Sequence, residues 1–224
     1  MQNSNHYIIF SHGFGVRKDS RGLFLDIASW LKDYTSVMFD YNEIREEENT
    51  IVVKILSEQS EKLSEVVNKI GRENPEATID IITHSQGAIP AALAKIDIPV
   101  RKVVLLAPSI NKDMSKMIKY FEQYPDTVIN LEGESVLGRR DGSKTIVPKE
   151  FWQEKQKYDQ VSLYNELSTR HETTIVFADQ DEVVSSDVGA LSKNMKVIHL
   201  NSDHNFTGEA RNELQKTLLE IFAK

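Results

Sequence analysis

The pentapeptide Thr83-His84-Ser85-Gln86-Gly87 joins a short β-branched, apolar stretch to an alanine-rich one, which puts a serine at a sharp strand-to-helix turn. Such a turn strains the backbone at the serine and lifts its Oγ clear of the sheet edge. The amides that open the following helix then point toward it. Gly87 supplies the small residue needed two positions on, where the helix passes close to the strand; Thr83 stands where glycine is usual. A second candidate is Ser11-His12-Gly13-Phe14-Gly15, whose glycines let a loop fold back so that the Phe14 amide can face a developing oxyanion, with the Gln86 amide as second donor. A nucleophilic serine needs a base within hydrogen-bond reach, and that base needs a carboxylate to fix its tautomer. His204, in Asn201-Ser202-Asp203-His204-Asn205-Phe206, and Asp181, in Ala178-Asp179-Gln180-Asp181-Glu182, are the candidates, with Asp179 as the competing acid. Singly, His204 reads equally as a surface-loop histidine and Asp181 as a turn former or helix cap. Together they weigh more, because four features follow four different strands.

Those strands must exist for the residues to meet. Strand-length runs rich in β-branched residues fall at His6 to Ser11, Ser36 to Tyr41, Thr78 to Thr83, Lys102 to Ala107, Thr173 to Ala178 and Lys196 to Asn201. Helical periodicity fills the gaps at Ser20 to Asp33, about Thr50 to Ile70, Gln86 to Lys95 and Asn205 to Ala223. The alternation predicts an α/β domain with about six mostly parallel strands and helices on both faces. In such sheets the carboxyl ends of the strands are where ligands bind, and all four features lie there. The acidic run Glu43 to Glu48 reads as a solvated loop. One stretch, from Ser109 to about Gln160, breaks the rhythm and carries Tyr120, Phe121, Tyr124, Phe151, Trp152 and Tyr158. Long excursions inside a compact domain are usually functional, so this one reads as a cap inserted in a single domain of residues 1–224. Tyr120, Phe121, Phe151 and Trp152 are then candidates for contact with a substrate. The competing reading is that these aromatics only hold the insertion in place.

Composition narrows the chemistry. With 27 Lys plus Arg against 34 Asp plus Glu, the net charge of -7 has the wrong sign for affinity to nucleic acid. The chain has no cysteine, which removes thiolate metal sites, disulfides and a cysteine nucleophile. Its histidines show no metal-binding spacing, so no metal and no cofactor are expected. No apolar run approaches the roughly 20 residues of a membrane span, and the polar start lacks the long apolar stretch of a signal peptide. A cytoplasmic protein acting on a small molecule is the expectation.

Taken together, these motifs resemble the α/β-hydrolase superfamily. His12-Gly13-Phe14-Gly15 looks like its oxyanion loop, His84-Ser85-Gln86-Gly87 like its nucleophile elbow, Asp181 like its triad acid and His204 like its triad base. More narrowly, Phe39-Asp40-Tyr41-Asn42, Asp203-His204-Asn205-Phe206 and an insertion between the fourth and fifth strands are similar to compact bacterial esterases of the cinnamoyl (feruloyl) type. The resemblance implies strand order 2-1-3-4-5-6 and hydrolysis of carboxylic esters with small to medium acyl or aryl groups. The same triad would serve a thioesterase, an acyltransferase or an amidase, and a degenerate scaffold would serve only to bind. A departure from the family is Glu43-Ile44-Arg45-Glu46 in place of a glycine-rich turn, which alters one wall of the site.

Overall fold

The computed structural model describes residues 5–110, 114–184 and 191–223. In chain order the first half runs β1 (His6–Ser11), α1 (Leu23–Trp30), β2 (Thr35–Met38), β3 (Glu43–Arg45), β4 (Thr50–Val52), α2 (Leu56–Glu73), β5 (Thr78–His84), a single 3-10 turn (Ser85–Gly87), α3 (Ala88–Leu93) and β6 (Lys102–Leu106). The second half runs α4 (Ser115–Glu122), β7 (Ser135–Gly138), β8 (Lys144–Val147), α5 (Lys149–Lys157), α6 (Gln160–Arg170), β9 (Glu172–Ala178), β10 (Lys196–Leu200) and α7 (Glu209–Phe222).

The main sheet has the order β10-β9-β6-β5-β1-β2, and every pair in it is parallel. Counting only these six strands along the chain, the order is 2-1-3-4-5-6. Adjacent β-branched residues explain why the sheet is buried on both sides, because successive side chains in a strand face opposite ways. Ile9, Ile81, Val103 and Ile175 turn to a core shared with α2, α3 and α6, while Ile8, Ile82, Val104 and Val176 turn to one shared with α1 and α7. All eight are essentially inaccessible to water.

A second sheet, β3-β4-β8-β7, departs from the sequence expectation in two places. The helix expected from about Thr50 begins only at Leu56, because Thr50-Ile51-Val52 is a β-branched run that pairs antiparallel with β3 and parallel with β8. The acidic run is a loop only in its second half, since Glu43–Arg45 is a strand of this sheet. The segment between β6 and β9 is likewise not irregular. Its hairpin β7/β8 closes through Asp141-Gly142, with Gly142 at φ 78° and its amide donating to Arg139 O at 3.1 Å. An Asp-Gly pair flanked by β-formers is a hairpin signal that lay in plain view.

At the carboxyl edge of the main sheet the loops are joined by two neutral histidines. The Tyr41 amide donates to His12 Nε2 at 3.0 Å, so the ring proton sits on Nδ1 and is donated to Gly13 O, also at 3.0 Å. His84 carries its proton on Nε2 and donates it to His204 O at 3.0 Å, while its Nδ1 accepts from the Ser20 hydroxyl at 2.8 Å. Burial lowers the pKa of His12 to about 4 and that of His84 to about 3, from the ordinary 6.5.

At Gly87 a Cβ would lie 2.1 Å from Ser11 O and 2.7 Å from His12 O, both backbone atoms that cannot yield cheaply. Gly87→Ala is expected to cost at least about 2 kcal/mol, read as a drop in Tm of about 4–8 °C; an unchanged Tm would contradict the close approach. The unfolded chain takes up a proton at each histidine below 6.5, whereas the folded chain does so only near 4 and 3. Stability is therefore expected to fall as pH drops below 6.5, by up to about 1.4 kcal/mol per pH unit for each histidine. Urea midpoints measured between pH 7 and pH 5 should decline, and less steeply in His84→Gln; parallel slopes would mean that His84 is not held neutral.

Candidate active site

Ser85 is the first residue after β5, and its φ of 54° puts a non-glycine residue in the left-handed region. The turn is held by what surrounds it. Gly13 packs so closely that a Cβ there would be 3.2 Å from Ser85 Cβ, and the Ser11 hydroxyl donates to Gly87 O at 2.7 Å. The Ser109 amide donates to Ser85 O at 3.4 Å, and Ser109 O accepts from the Tyr164 hydroxyl at 2.7 Å. Thr83, in the place where glycine is usual, is fully buried, and its Oγ1 has no partner among the described residues. Its backbone is ordinary strand, so a β-branched side chain fits there.

The structure brings Ser85, His204 and Asp181 into one hydrogen-bonded chain. His204 Nε2 lies 2.9 Å from Ser85 Oγ, and His204 Nδ1 lies 2.6 Å from Asp181 Oδ2. An acceptor carboxylate at Nδ1 puts the ring proton there and leaves the Nε2 lone pair for the serine hydroxyl, which is the arrangement a general base requires. Asp181 Oδ1 is engaged as well, accepting from the amides of Val183 and Val184 at 2.7 and 2.8 Å. Both side chains of the His204–Asp181 pair are under a tenth exposed. Asp179 lies elsewhere, paired with His199 at 2.7 Å on the surface.

A narrow cavity of about 60 Å³ opens over Ser85. Gly13, Phe14, Gln86, His204 and Asn205 border it from the main domain, and Met117, Tyr120 and Phe121 of α4 from the segment between β6 and β9. Neither the Phe14 nor the Gln86 amide donates to backbone outside helices and strands among the described residues. Of the four aromatics expected to touch a substrate, Tyr120 and Phe121 line the cavity and Phe151 and Trp152 do not. The latter two are buried, with ring centroids 5.2 and 5.9 Å from that of Phe14, and the Trp152 indole N–H donates to Ser135 Oγ at 3.1 Å. For that pair the holding role is the one the structure supports.

Sequence reasoning missed several residues. Glu182 accepts the His204 amide at 3.1 Å, and Lys116 donates to Asp181 O and, at 2.7 Å, to Val184 O, tying α4 to the loop that carries the acid. Lys155 is only 4% exposed, borders the cavity and donates to Ser109 Oγ at 3.1 Å. Its spacing held the signal, since it follows Phe151 by one helical turn on the buried side of α5. Arg139, 8% exposed, also borders the cavity, with its guanidinium carbon 4.6 Å from the Phe121 ring centroid and 5.7 Å from that of Phe14. Burial lowers Lys155 to about 8 and Arg139 to about 9. Among the described residues no cluster of three or more His, Asp or Glu could hold a metal ion, and no helix is long and apolar enough to cross a membrane.

No family profile matches the chain, and no curated protein sequence does. Solved structures do. Est1E from Butyrivibrio proteoclasticus, determined with ferulic acid bound, is 18% identical with a TM-score of 0.68 over 99% of this chain and 92% of that one. The monoacylglycerol lipase of Paleococcus ferrophilus is 12% identical, TM-score 0.64, over 96% and 93%. The esterase domain of a Rhodothermus marinus protein is 15% identical, TM-score 0.63, over 97% and 86%. Six parallel strands in this order, helices on both faces and this likeness along nearly the whole chain give the protein the α/β-hydrolase fold.

Proposed function

We propose that the protein is a serine hydrolase that cleaves carboxylic esters of small to medium acyl or aryl groups. The observation that carries this reading is the continuous hydrogen-bonded chain from Asp181 through His204 to Ser85 at the floor of a cavity. Ser85 Oγ attacks the ester carbonyl while His204 Nε2 takes its proton. The resulting imidazolium is stabilised by Asp181, whose second oxygen is already held by two amides. The tetrahedral oxyanion is received by the Phe14 and Gln86 amides, each such donor typically lowering the barrier by about 2.7–4 kcal/mol. Collapse of this intermediate breaks the bond to the alcohol, which leaves with the proton from His204. Water, deprotonated by the same histidine, then attacks the acyl-enzyme and releases the acid.

In this reading the segment between β6 and β9 is a cap. Its α4 supplies Met117, Tyr120 and Phe121 to the cavity, and Phe151 and Trp152 hold it on Phe14. Ester cleavage is also what the names of the similar esterases and lipases suggest.

Intact-mass analysis after treatment with a fluorophosphonate is expected to give one adduct on the wild type and none on Ser85→Ala. Turnover of simple aryl esters should vanish in Ser85→Ala. It should fall by about 10⁴-fold in Asp181→Asn, where the amide disturbs the histidine tautomer, and stay near wild type in Asp179→Asn. Labelling that survives in Ser85→Ala, or a loss of turnover in Asp179→Asn that Asp181→Asn does not share, would overturn these assignments.

A further inference from the structure

Among the described residues the charges that border the cavity are all of one sign: Arg21, Arg139 and Lys155 line it and no carboxylate does, although the chain as a whole carries more acid than base. Two of the three cations are buried. Lys155 Nζ finds one acceptor among the described residues, the neutral Ser109 Oγ. Arg139 donates to Thr145 Oγ1 at 2.8 Å and to Phe14 O at 3.4 Å, both neutral, and has no ion pair among the described residues. Removing an ammonium or guanidinium from water without a counter-charge is costly, and neutral acceptors with an aromatic face offset only part of that cost. Both groups keep their protons at neutral pH, because the depressed values, about 8 and about 9, still lie above it.

We propose that the ester this site accepts carries a carboxylate on the part held in the cavity, and that Lys155 and Arg139 are the residues that bind it. The inference rests on the ester-hydrolysis reading and names its substrate class. Lys155 is joined to the nucleophile through one residue, since Ser109 accepts from Lys155 with its side chain and donates to Ser85 O with its amide. A carboxylate on Lys155 therefore lies a short chain away from a carbonyl at Ser85 Oγ. Phe121, Met117 and Val183 supply apolar wall that suits the intervening methylenes or ring. Arg21, exposed and bordering both this cavity and the neighbouring groove, adds positive potential on the solvent side.

The test compares kcat/KM for matched pairs: p-nitrophenyl hydrogen glutarate against p-nitrophenyl pentanoate for the acyl side, and the butyrate ester of glycolic acid against ethyl butyrate for the alcohol side. In at least one pair the charged ester is expected to be preferred by about tenfold or more. That ratio should collapse toward one in Lys155→Met and be kept in Lys155→Arg. Independently of turnover and of how the Lys155 variants fold, titration calorimetry on Ser85→Ala protein is expected to show glutarate binding and no binding of neutral glutaramide. Ratios at or below one in both pairs, with the neutral esters turned over, would overturn the proposal and leave the esterase reading intact. Phosphate binding more tightly than glutarate would overturn the carboxylate assignment. Glutarate bound to a wild type that cleaves none of the four esters would support the anion site and count against the esterase reading.

Discussion

Everything at this site hangs on the close approach of two backbones. The turn after β5 passes so near the end of β1 that Gly87 has no room for a side chain against Ser11 O and His12 O. That contact, with the Ser11 hydroxyl bonded to Gly87 O, holds Ser85 in a left-handed conformation that costs a non-glycine residue about 1 kcal/mol or more. Other departures of this kind lie nearby. Ser20, Arg21, Ala107 and Phe206 also have positive φ, and each belongs to a loop that leads into or away from a site residue. The parallel sheet, buried on both faces, is the rigid body against which these loops are strained.

Electrostatics at this edge separate into two kinds of group. His12 and His84 are buried, neutral and used as connectors, each with one ring nitrogen donating and the other accepting. His204 differs in having a carboxylate on one side and a hydroxyl on the other, so it alone among the three is placed to gain a proton and be compensated for it. His84 donates to the backbone carbonyl of His204, so the neutral connector also helps to position the His204 residue. The buried cations Lys155 and Arg139 also border the cavity, and among its described lining residues there is no carboxylate. In the proposed reading the ligand brings the carboxylate that balances them.

Much of this was legible in the sequence, because the residues that carry chemistry sit at strand ends and strand ends are announced by short β-branched runs. Ile8-Ile9, Ile81-Ile82 and Val103-Val104 are pairs that a sheet covered on both faces buries; five of the six expected strands match the structure to within one residue, and the second, expected over Ser36 to Tyr41, ends three residues earlier, at Met38. The second sheet was harder to read. Thr50-Ile51-Val52 runs straight into a helical pattern, and β3 hides in a charged stretch whose strand character comes from pairing with β4 rather than from its own composition. Periodicity is blind to a three-residue strand. The aromaticity of Phe151 and Trp152 points to site residues, whereas the structure buries them beside Phe14 and away from the cavity. Lys155 and Arg139 are hard to read for the opposite reason: long cations are normally at the surface, and although the spacing of Lys155 from Phe151 points inward, for Arg139 only the three-dimensional placement reveals burial.

In the proposed function Ser85 is the nucleophile and the Phe14 and Gln86 amides receive the tetrahedral oxyanion. The decisive measurement is a crystal structure of the phosphonylated protein. It is expected to show a covalent bond from phosphorus to Ser85 Oγ, with the phosphonyl oxygen accepting hydrogen bonds from both the Phe14 and Gln86 amides and His204 still bonded to Asp181. A phosphonyl oxygen turned away from those amides, or an adduct on another side chain, would contradict it.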